Sequence, residues 1–229
     1  MTPILTYVAP PMAGLVTCLV LTPIVRSFAL RIGAVDRPAA RRVHDGEVAR
    51  LGGVAVYSSF WLGVAIYLAV GGRLGCPTGL LATFAVGSLG LVAIGVYDDV
   101  RDSPAWLRLV FQLVAGHLAW QGGFRFAVLT GAMTLALPDP APAVLEYGLT
   151  VLWVAGVTNA INFMDGLDFL CAGFSLVAVG ALAAVAVVSR QLSFVPLYLA
   201  LAAVLVAFGQ FNRWPASIFM GDSGSTFLG

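Results

Sequence analysis

Seven long apolar stretches divide the chain and restrict what it can fold into. Most approach the ~20 residues that a helix needs to cross a bilayer. The 229-residue chain is 60% hydrophobic and 10% charged, with a mean hydropathy of +0.95, so lipid is the solvent for most of it. We predict an all-α polytopic membrane protein, a single integral membrane domain over residues 1–229 with about seven transmembrane helices. The stretches are Ile4–Leu30, Gly52–Val70, Gly79–Tyr97, Trp106–Trp120, Val144–Val157, Phe169–Val188 and Phe194–Phe211.

The N-terminal segment, residues 121–147 and the two shortest apolar stretches differ from ordinary spans and loops. The N-terminal segment lacks the basic residues of a signal peptide, and its apolar run continues to about Leu30, which predicts a retained span. Residues 121–147 contain FRFAVLTGAMTLALP, whose β-branched and aromatic residues around Thr130 and Gly131 predict a small extracytoplasmic β-hairpin. The fourth and fifth stretches are short for a span. Their helices are therefore expected to tilt, to lie partly at the interface or to extend at their ends.

The charged residues predict the orientation of the chain. Seven spans place the odd-numbered connections on one side, at about residues 31–51, 98–108, 158–168 and 212–229. Eight arginines fall in these connections and three in the others, so the positive-inside rule predicts that they face the cytoplasm from the plasma (inner) membrane, with the N-terminus outside. Nine of the eleven acidic residues lie on the same side. Acidic residues contribute little to topology, so a cationic ligand shared by these loops would explain their distribution better.

Asp98 and Asp99 are adjacent and directly follow the third span. Neighbouring carboxylates repel each other, more strongly near a membrane, and a divalent cation would remove that cost. Mg²⁺ prefers one or two carboxylates together with substrate phosphates. A solvated polar end of a helix is the alternative, because charged residues are ordinary where spans end.

Asn159, Asn162, Asp165 and Asp168 follow one another at a spacing of three residues. On a helix this spacing keeps the four side chains near one face, and polar groups this close to lipid usually face a cavity. We therefore interpret them as the lining of a polar pocket. An Asx-rich loop with a helix cap is the alternative.

Asp222 lies among glycine and serine residues in the segment FMGDSGS. Small residues let a backbone approach phosphate, exposed N–H groups can bind an anion, and the carboxylate offers a hard oxygen ligand. The segment matches neither a Walker A loop nor a GxSxG elbow. A flexible turn before another span is the alternative.

The first odd-numbered connection, DRPAARRVHDGEVARLGG, is rich in arginine and contains Arg42, His44 and Arg50. Guanidinium groups beside a membrane bind lipid phosphates and diphosphates, although a positive-inside anchor would have the same composition. The net charge of +1 gives no global basic field, so nucleic acid is not an expected partner.

These four motifs, in this order, closely resemble those of the polyprenyl-phosphate N-acetylhexosamine-1-phosphate transferases, the MraY, WecA and TagO type of glycosyltransferase family 4. The similar stretches are VDRPAARRVH…RLGG, GVYDDVRD, NAINFMDGLD and FMGDSGS, and the resemblance covers about residues 33–229. It implies a phosphotransferase that moves an N-acetylhexosamine 1-phosphate, with GlcNAc-1-phosphate favoured, from a UDP-sugar to undecaprenyl or another polyprenyl phosphate and releases UMP. This is a first membrane step of cell-wall or surface polysaccharide synthesis. The implied cofactor is Mg²⁺, with Mn²⁺ as the alternative ion, and a homodimer is left open.

The resemblance also implies roles for individual residues. It assigns Asp98, Asp99 and Asp222 to the catalytic centre and to the metal, without saying which of the two adjacent aspartates does what. It implies that Phe219 stacks on uracil and that Asn212 lies near the nucleotide. The implied substrate-binding residues are Asn159, Asn162, Asp165, Asp168, Asn212, Phe219, Arg42, His44, Arg50 and Arg108.

The chain departs from the family pattern in three places. Phe169 stands where the family usually has Gly, Arg replaces Lys at Arg42 and Arg108, and the chain ends at Gly229, where the family continues through further spans and a histidine-rich motif. We therefore expect a fragment of a longer enzyme that turns over little substrate by itself. An ion-binding transporter fragment, with charges inside its spans, or a non-catalytic membrane scaffold are the alternatives. The sequence determines neither the sugar nor the polymer pathway.

Overall fold

The computed structural model describes residues 3–36, 47–76, 78–126 and 141–229, and most of these residues are helical. A short helix, α8 (Gly221–Leu228), follows seven long ones, and a 3₁₀ turn (Leu192–Phe194) precedes the last of the seven. The long helices are α1 (Pro3–Ile32), α2 (Gly52–Ala69), α3 (Thr78–Arg101), α4 (Ala105–Gly122), α5 (Ala141–Met164), α6 (Leu170–Val188) and α7 (Val195–Asn212).

All the long helices described except α4 are long and apolar enough to cross a membrane. α4 has 18 residues, but four polar side chains lower its hydropathy. Its two ends nevertheless lie at opposite ends of its neighbours. Arg108 contacts Asp98 near the end of α3, whereas His117 shares a 3.3 Å hydrogen bond with Tyr147 near the start of α5. α4 therefore runs antiparallel to both, and the predicted all-α polytopic membrane protein is confirmed.

The two short apolar stretches are parts of longer helices. The fourth stretch lies within α4, and the fifth is the middle of α5, which continues through Asn159 and Asn162 to Met164. Extension at the ends, one of the three predicted alternatives, is therefore confirmed for the fifth stretch, whereas tilt and an interfacial position stay predictions. α5 can continue through amide side chains because these find partners inside the protein, as described below.

The long helices form two groups that make few direct contacts with each other. α1 packs along α2 and α7, and α6 packs against α7, whereas α4 packs between α3 and α5. α8 lies between the groups and contacts α2, α3 and α5. Its residues from Gly221 to Phe227 are all buried. The flexible turn given above as the alternative for this segment is therefore wrong, because the segment is a buried helix on which both groups assemble.

A small antiparallel sheet connects α1 to α2. Its strands are β1 (Val35–Asp36) and β2 (Val48–Ala49), and Ala49 also forms a parallel bridge with Ile218. This sheet belongs to the first odd-numbered connection and holds it beside the start of α8. The β-hairpin predicted around Thr130 and Gly131 falls in residues 127–140, outside the described residues.

Gly53 lets α2 approach α8 closely. Its N–H donates to the carbonyl of Met220 at 2.7 Å, and a Cβ at position 53 would overlap the backbone of Gly224. Any larger side chain would push the two helices apart.

Candidate active site

Four helix ends meet at one end of the molecule. Asp98 and Asp99 lie near the end of α3, and Arg108 lies in the first turn of α4. Asn162 lies in the last turn of α5, and Asp222 lies in the first turn of α8. The aspartates and Asn162 come from three of the four motifs in the sequence, and Arg108 follows the second of these motifs; the fold brings them into contact.

Arg108 connects two carboxylates at the centre of this cluster. Its Nη1 donates to Oδ2 of Asp98 at 3.0 Å and also to Oδ2 of Asp222. Both carboxylates are largely buried, whereas the Arg108 side chain is 30% exposed and forms the open side. The guanidinium offsets the repulsion between the carboxylates and keeps further donors for a ligand.

Ser103 orients Asp98. The backbone N–H of Ser103 donates to Oδ1 of Asp98 at 2.7 Å, and its hydroxyl donates to the same oxygen. Oδ2 of Asp98 is thereby left to face Arg108 and Asp222.

Asn162 orients Asp222. Its Nδ2 donates to Oδ1 of Asp222 and to Oγ of Ser225, both at 2.9 Å. Burial raises the pKa of Asp222 above its ordinary value, and the neighbouring Asp98 acts in the same direction. A cation near both carboxylates would favour their charged forms.

Asp99 is turned toward α8. Its Oδ1 accepts the backbone N–H of Asp222 at 2.9 Å, and its Oδ2 accepts that of Ser223 at 3.1 Å. Nε of Arg50 lies 3.7 Å from Oδ1, and the Asp99 side chain is 0% exposed. The two adjacent aspartates therefore have different surroundings.

Asn159 pairs with Gln112 across α4 and α5. Nδ2 of Asn159 donates to Oε1 of Gln112 at 2.6 Å, and Nε2 of Gln112 donates back to Oδ1 of Asn159 at 3.3 Å. Gln112 lies one turn after Arg108, and Asn159 lies one turn before Asn162. The amide pair thus holds α4 and α5 at the spacing that lets Arg108 and Asn162 reach Asp222.

Asp165 and Asp168 lie in the turn after α5, so the predicted polar stripe does not continue on one helix. Burial raises the pKa of Asp165 to about 6, while the backbone N–H groups of Gly221 and Met220 act against this shift. Oδ2 of Asp168 accepts the N–H of Ala216 at 2.9 Å. Both carboxylates hold the segment before α8 in place.

Phe169 directly precedes α6 and has a φ of 62°, in the left-handed region that favours glycine. Its ring lies so close to Gly209 that a Cβ there would come within 2.6 Å of it. The departure from the family pattern at this position therefore combines an unfavourable backbone conformation with packing of the ring against α7.

Two residues with implied nucleotide roles are buried. Asn212 donates from Nδ2 to the carbonyl of Ile218 at 3.0 Å, and Phe219 is 4% exposed, with its backbone N–H bound to Ala49. Their contact with a nucleotide stays a prediction. Arg42 and His44 fall in residues 37–46, outside the described residues.

Sequence analysis did not single out Ser103 or Gln112. Ser103 precedes Pro104, a pairing that marks the start of a helix and a local cap. Gln112 is a polar residue one helical turn after Arg108 in an apolar segment, where a polar side chain usually faces a partner. Both signals are recognisable once the position of the cluster is known.

The pair of Asp98 and Asp222 fits Mg²⁺, which binds one or two carboxylates and completes its octahedron with water and substrate phosphates. Within the described part of the chain, no three His, Cys, Asp or Glu side chains converge where they could hold an ion. The arrangement there suits an ion that binds together with a diphosphate.

Fold and site together define a polytopic membrane protein with carboxylates and an arginine from separate helices at one end of its bundle. The model of glycosyl transferase family 4 matches residues 81–229, and the chain belongs to this family. The resemblance inferred from the four motifs is thereby confirmed.

Curated relatives extend the similarity over most of the chain. It is 37% identical over 221 residues to the probable undecaprenyl-phosphate N-acetylglucosaminyl 1-phosphate transferase of Bacillus subtilis (strain 168), which covers 94% of this chain and 58% of that protein. It is 33% identical over 224 residues to the decaprenyl-phosphate N-acetylglucosaminephosphotransferase of Mycolicibacterium smegmatis, covering 90% and 53%. A phospho-N-acetylmuramoyl-pentapeptide-transferase of Lactobacillus delbrueckii subsp. bulgaricus is 35% identical over 158 residues, covering 63% and 48%. The chain spans about half the length of the curated relatives it matches.

Proposed function

We propose that the protein transfers an N-acetylhexosamine 1-phosphate, in the first instance GlcNAc-1-phosphate, from a UDP-sugar to undecaprenyl or another polyprenyl phosphate. The observation that carries this proposal is the convergence of Asp98, Arg108 and Asp222 at the end of an apolar helix bundle. A lipid phosphate stays at headgroup level, so an enzyme that uses it needs its charged groups at a bundle end. The relatives named for undecaprenyl or decaprenyl phosphate and N-acetylglucosamine support the same substrates.

The reaction replaces one phosphoanhydride bond by another. An oxygen of the lipid phosphate attacks the β-phosphorus of the UDP-sugar. The bond from that phosphorus to the bridging oxygen breaks, and UMP leaves with this oxygen. The product is a polyprenyl diphosphate sugar. A phosphate monoester with a second pKa of about 6 is mostly deprotonated near pH 7, so the protein mainly positions the reactants and neutralises charge.

The residues of the site would have different roles in positioning the reactants and neutralising their charge. Arg108 would donate from its exposed guanidinium to diphosphate oxygens. Asp98 and Asp222 would hold Mg²⁺ beside it, and Asn162 would keep Asp222 in the orientation this requires. When bound, Mg²⁺ would neutralise charge that develops on the phosphate oxygens.

We place this site on the cytoplasmic face of the plasma membrane and the N-terminus outside. The excess of arginine in the odd-numbered connections supports this orientation. After removal of the native cysteines, Arg73→Cys should react with an impermeant thiol reagent added to intact cells, and Arg101→Cys should not. The reverse pattern would invert the topology.

The direct test of the reaction is the identity of the released nucleotide. Membranes containing the enzyme as its gene encodes it are incubated with polyprenyl phosphate, Mg²⁺ and UDP-GlcNAc labelled in uridine. We expect labelled UMP and an equal amount of lipid-linked diphosphate sugar. Release of UDP would mean transfer of the sugar without its phosphate and would overturn the mechanism. UDP-N-acetylmuramoyl-pentapeptide in parallel tests the sugar, and turnover of that donor alone would reassign the substrate.

A further inference from the structure

We infer that Asp98 and Asp99 have separate tasks. Asp98 faces the reacting phosphates and their metal, whereas Asp99 is a positioning residue that fixes the start of α8 and through it Asp222. The inference rests on the proposed function, because it divides the work within that site. Adjacent residues on an α-helix point about 100° apart, so two neighbouring aspartates can face two different partners.

Both carboxylate oxygens of Asp99 are engaged by the backbone. They accept the N–H groups of Asp222 and Ser223 at 2.9 and 3.1 Å, among the first N–H groups of α8. These N–H groups have no acceptor within their own helix. A carboxylate from α3 therefore caps the N-terminus of α8, where the helix dipole also favours a negative charge.

The backbone at the start of α8 is shaped to receive this carboxylate. Gly221 has a φ of +73°, and a Cβ on it would overlap Oδ2 of Asp99. Glycine provides both the left-handed conformation and the space for the close approach. Any other residue at position 221 would strain the backbone and press its Cβ against the carboxylate of Asp99.

Asp99 is closed to a ligand, unlike Asp98. Its side chain is 0% exposed, and the guanidinium of Arg50 lies 3.7 Å away. This positive charge, together with the two N–H groups, offsets the negative charge of the buried carboxylate. Oδ2 of Asp98 instead faces Arg108, which forms the open side of the cluster. An ion that reaches the cluster from that side meets Asp98 and Asp222 first.

Asp99 controls the metal site because Asp222 belongs to the helix that it caps. The N–H of Asp222 is held by Asp99, while its carboxylate is held by Asn162 and Arg108. Loss of the cap would shift the backbone of Asp222 without removing any group that faces the ion.

The experiment compares Asp98→Asn and Asp99→Asn in the purified chain in detergent, with Asp102→Asn as the matched control. Asp102 is exposed in the same turn and has a φ of 51°, which Asn tolerates. The metal-free melting temperature and the affinity for Mn²⁺, followed by electron paramagnetic resonance, are both measured. Mn²⁺ serves as the spectroscopic probe for Mg²⁺.

Asp99→Asn should lower the metal-free melting temperature by about 5 °C or more, because one of two charge-assisted hydrogen bonds is lost. It should weaken Mn²⁺ binding measurably, by about three- to tenfold, because the shifted backbone moves the carboxylate of Asp222, and the variant should still bind one ion with an unchanged spectrum at saturation. Asp98→Asn should weaken Mn²⁺ about a hundredfold or more with a smaller loss of stability. Asp99 would instead be a ligand if Asp99→Asn lowered the Mn²⁺ affinity as much as Asp98→Asn does while its melting temperature stayed equal to that of the control. Unchanged Mn²⁺ affinity in Asp99→Asn would leave it a purely structural cap and would also overturn the positioning role.

A second variant decides the matter where Asp99→Asn does not fold. Arg50→Gln keeps the carboxylate but removes its nearest cation. A positioning Asp99 predicts lower stability and an Mn²⁺ affinity that does not rise. A ligand Asp99 predicts an affinity that rises severalfold, since a competing cation is gone. If the unchanged protein binds no Mn²⁺, the proposed metal site is refuted; equal melting temperatures of Asp99→Asn and the control would then refute the cap as well.

Discussion

Helices α6 and α8 expose their side chains in opposite ways. α6 has 19 residues without a charged group and leaves Val177 and Val188 73% and 83% exposed. α8 consists mainly of glycine, serine, threonine and an aspartate, and its residues from Gly221 to Phe227 are buried. In a soluble protein the apolar helix would be buried and the polar one exposed.

The difference follows from the solvent. Lipid tails are as apolar as a valine side chain, so exposing α6 to them costs little. The polar groups of α8 would find no partner in lipid, and each would cost several kcal/mol there. They are therefore satisfied inside the protein by Asp99, Asn162 and Arg108. It follows that substitutions around α8 should have large effects and matched substitutions in α6 small ones.

The largest effect should come from Asp222→Asn. The change preserves shape but removes the charge that faces Arg108 and the proposed Mg²⁺. Transfer by the enzyme as its gene encodes it should fall about a hundredfold or more, equivalent to at least ~2.7 kcal/mol of transition-state stabilisation. Initial rates in membranes with equal amounts of inserted protein measure this effect. Near-normal rates would show that no required ligand is at position 222.

The next effect concerns space rather than charge. Gly53→Ala places a Cβ against the backbone of Gly224, and the two helices cannot separate without breaking the hydrogen bond from Gly53 to Met220. We expect a loss of about 3 kcal/mol, at the upper end for overpacking. Thermal unfolding in detergent should show a lower midpoint or no folded protein.

Gly180→Ala in α6 is the matched control for this substitution. Apart from the neighbouring backbone of α6 itself, no atom lies within 4 Å of a Cβ at position 180, and Ala is favoured over Gly inside a helix by about 0.5–1 kcal/mol. The midpoint should stay the same or rise. Equal losses at positions 53 and 180 would mean that α8 is not a tightly packed centre.

The same contrast explains what the sequence could predict. The spans were predictable because residues that face lipid form continuous apolar runs, as in α6. α8 was not, because Gly221–Leu228 has little helix propensity of its own and depends on caps from α3. Asp99 lies 123 residues before the N–H group that it accepts, and no local pattern reports such a contact.

The candidate site shows the same limit. The sequence identifies Asp98, Asp222 and Arg108 as candidate site residues, and the structure brings the three side chains into contact. The sequence could not separate the tasks of Asp98 and Asp99, since both have the same side chain and adjacent positions. Gln112 was overlooked because its partner Asn159 lies 47 residues away, on the next long helix.

A moderate effect is expected for Ser225→Ala. The Ser225 hydroxyl accepts a hydrogen bond from Asn162 and donates to the carbonyl of Gly221, both at 2.9 Å inside the protein. Its removal leaves one donor position of Asn162 without an acceptor, which costs about 1–2 kcal/mol. The control is Ser189→Ala just after α6, where the hydroxyl only donates to Val185 at an exposed end. Thermal unfolding should show a larger loss of stability for Ser225→Ala than for Ser189→Ala. Equal losses would mean that the buried hydrogen bonds of Ser225 contribute no more than the exposed one of Ser189.

The smallest effect lies within α6 itself and tests whether lipid really replaces the protein core there. Val177 is 73% exposed and Val179 is 6% exposed, so the two valines differ in surroundings but not in chemistry or helix. Val179→Ala should leave a small cavity and cost about 1 kcal/mol, whereas Val177→Ala should change stability by less than ~0.5 kcal/mol, because lipid fills the space. Unfolding of both variants in one bilayer-like environment measures the difference. A loss at Val177 equal to that at Val179 would mean that another protein surface covers α6, and its exposed valines would then be part of an interface rather than of the lipid boundary.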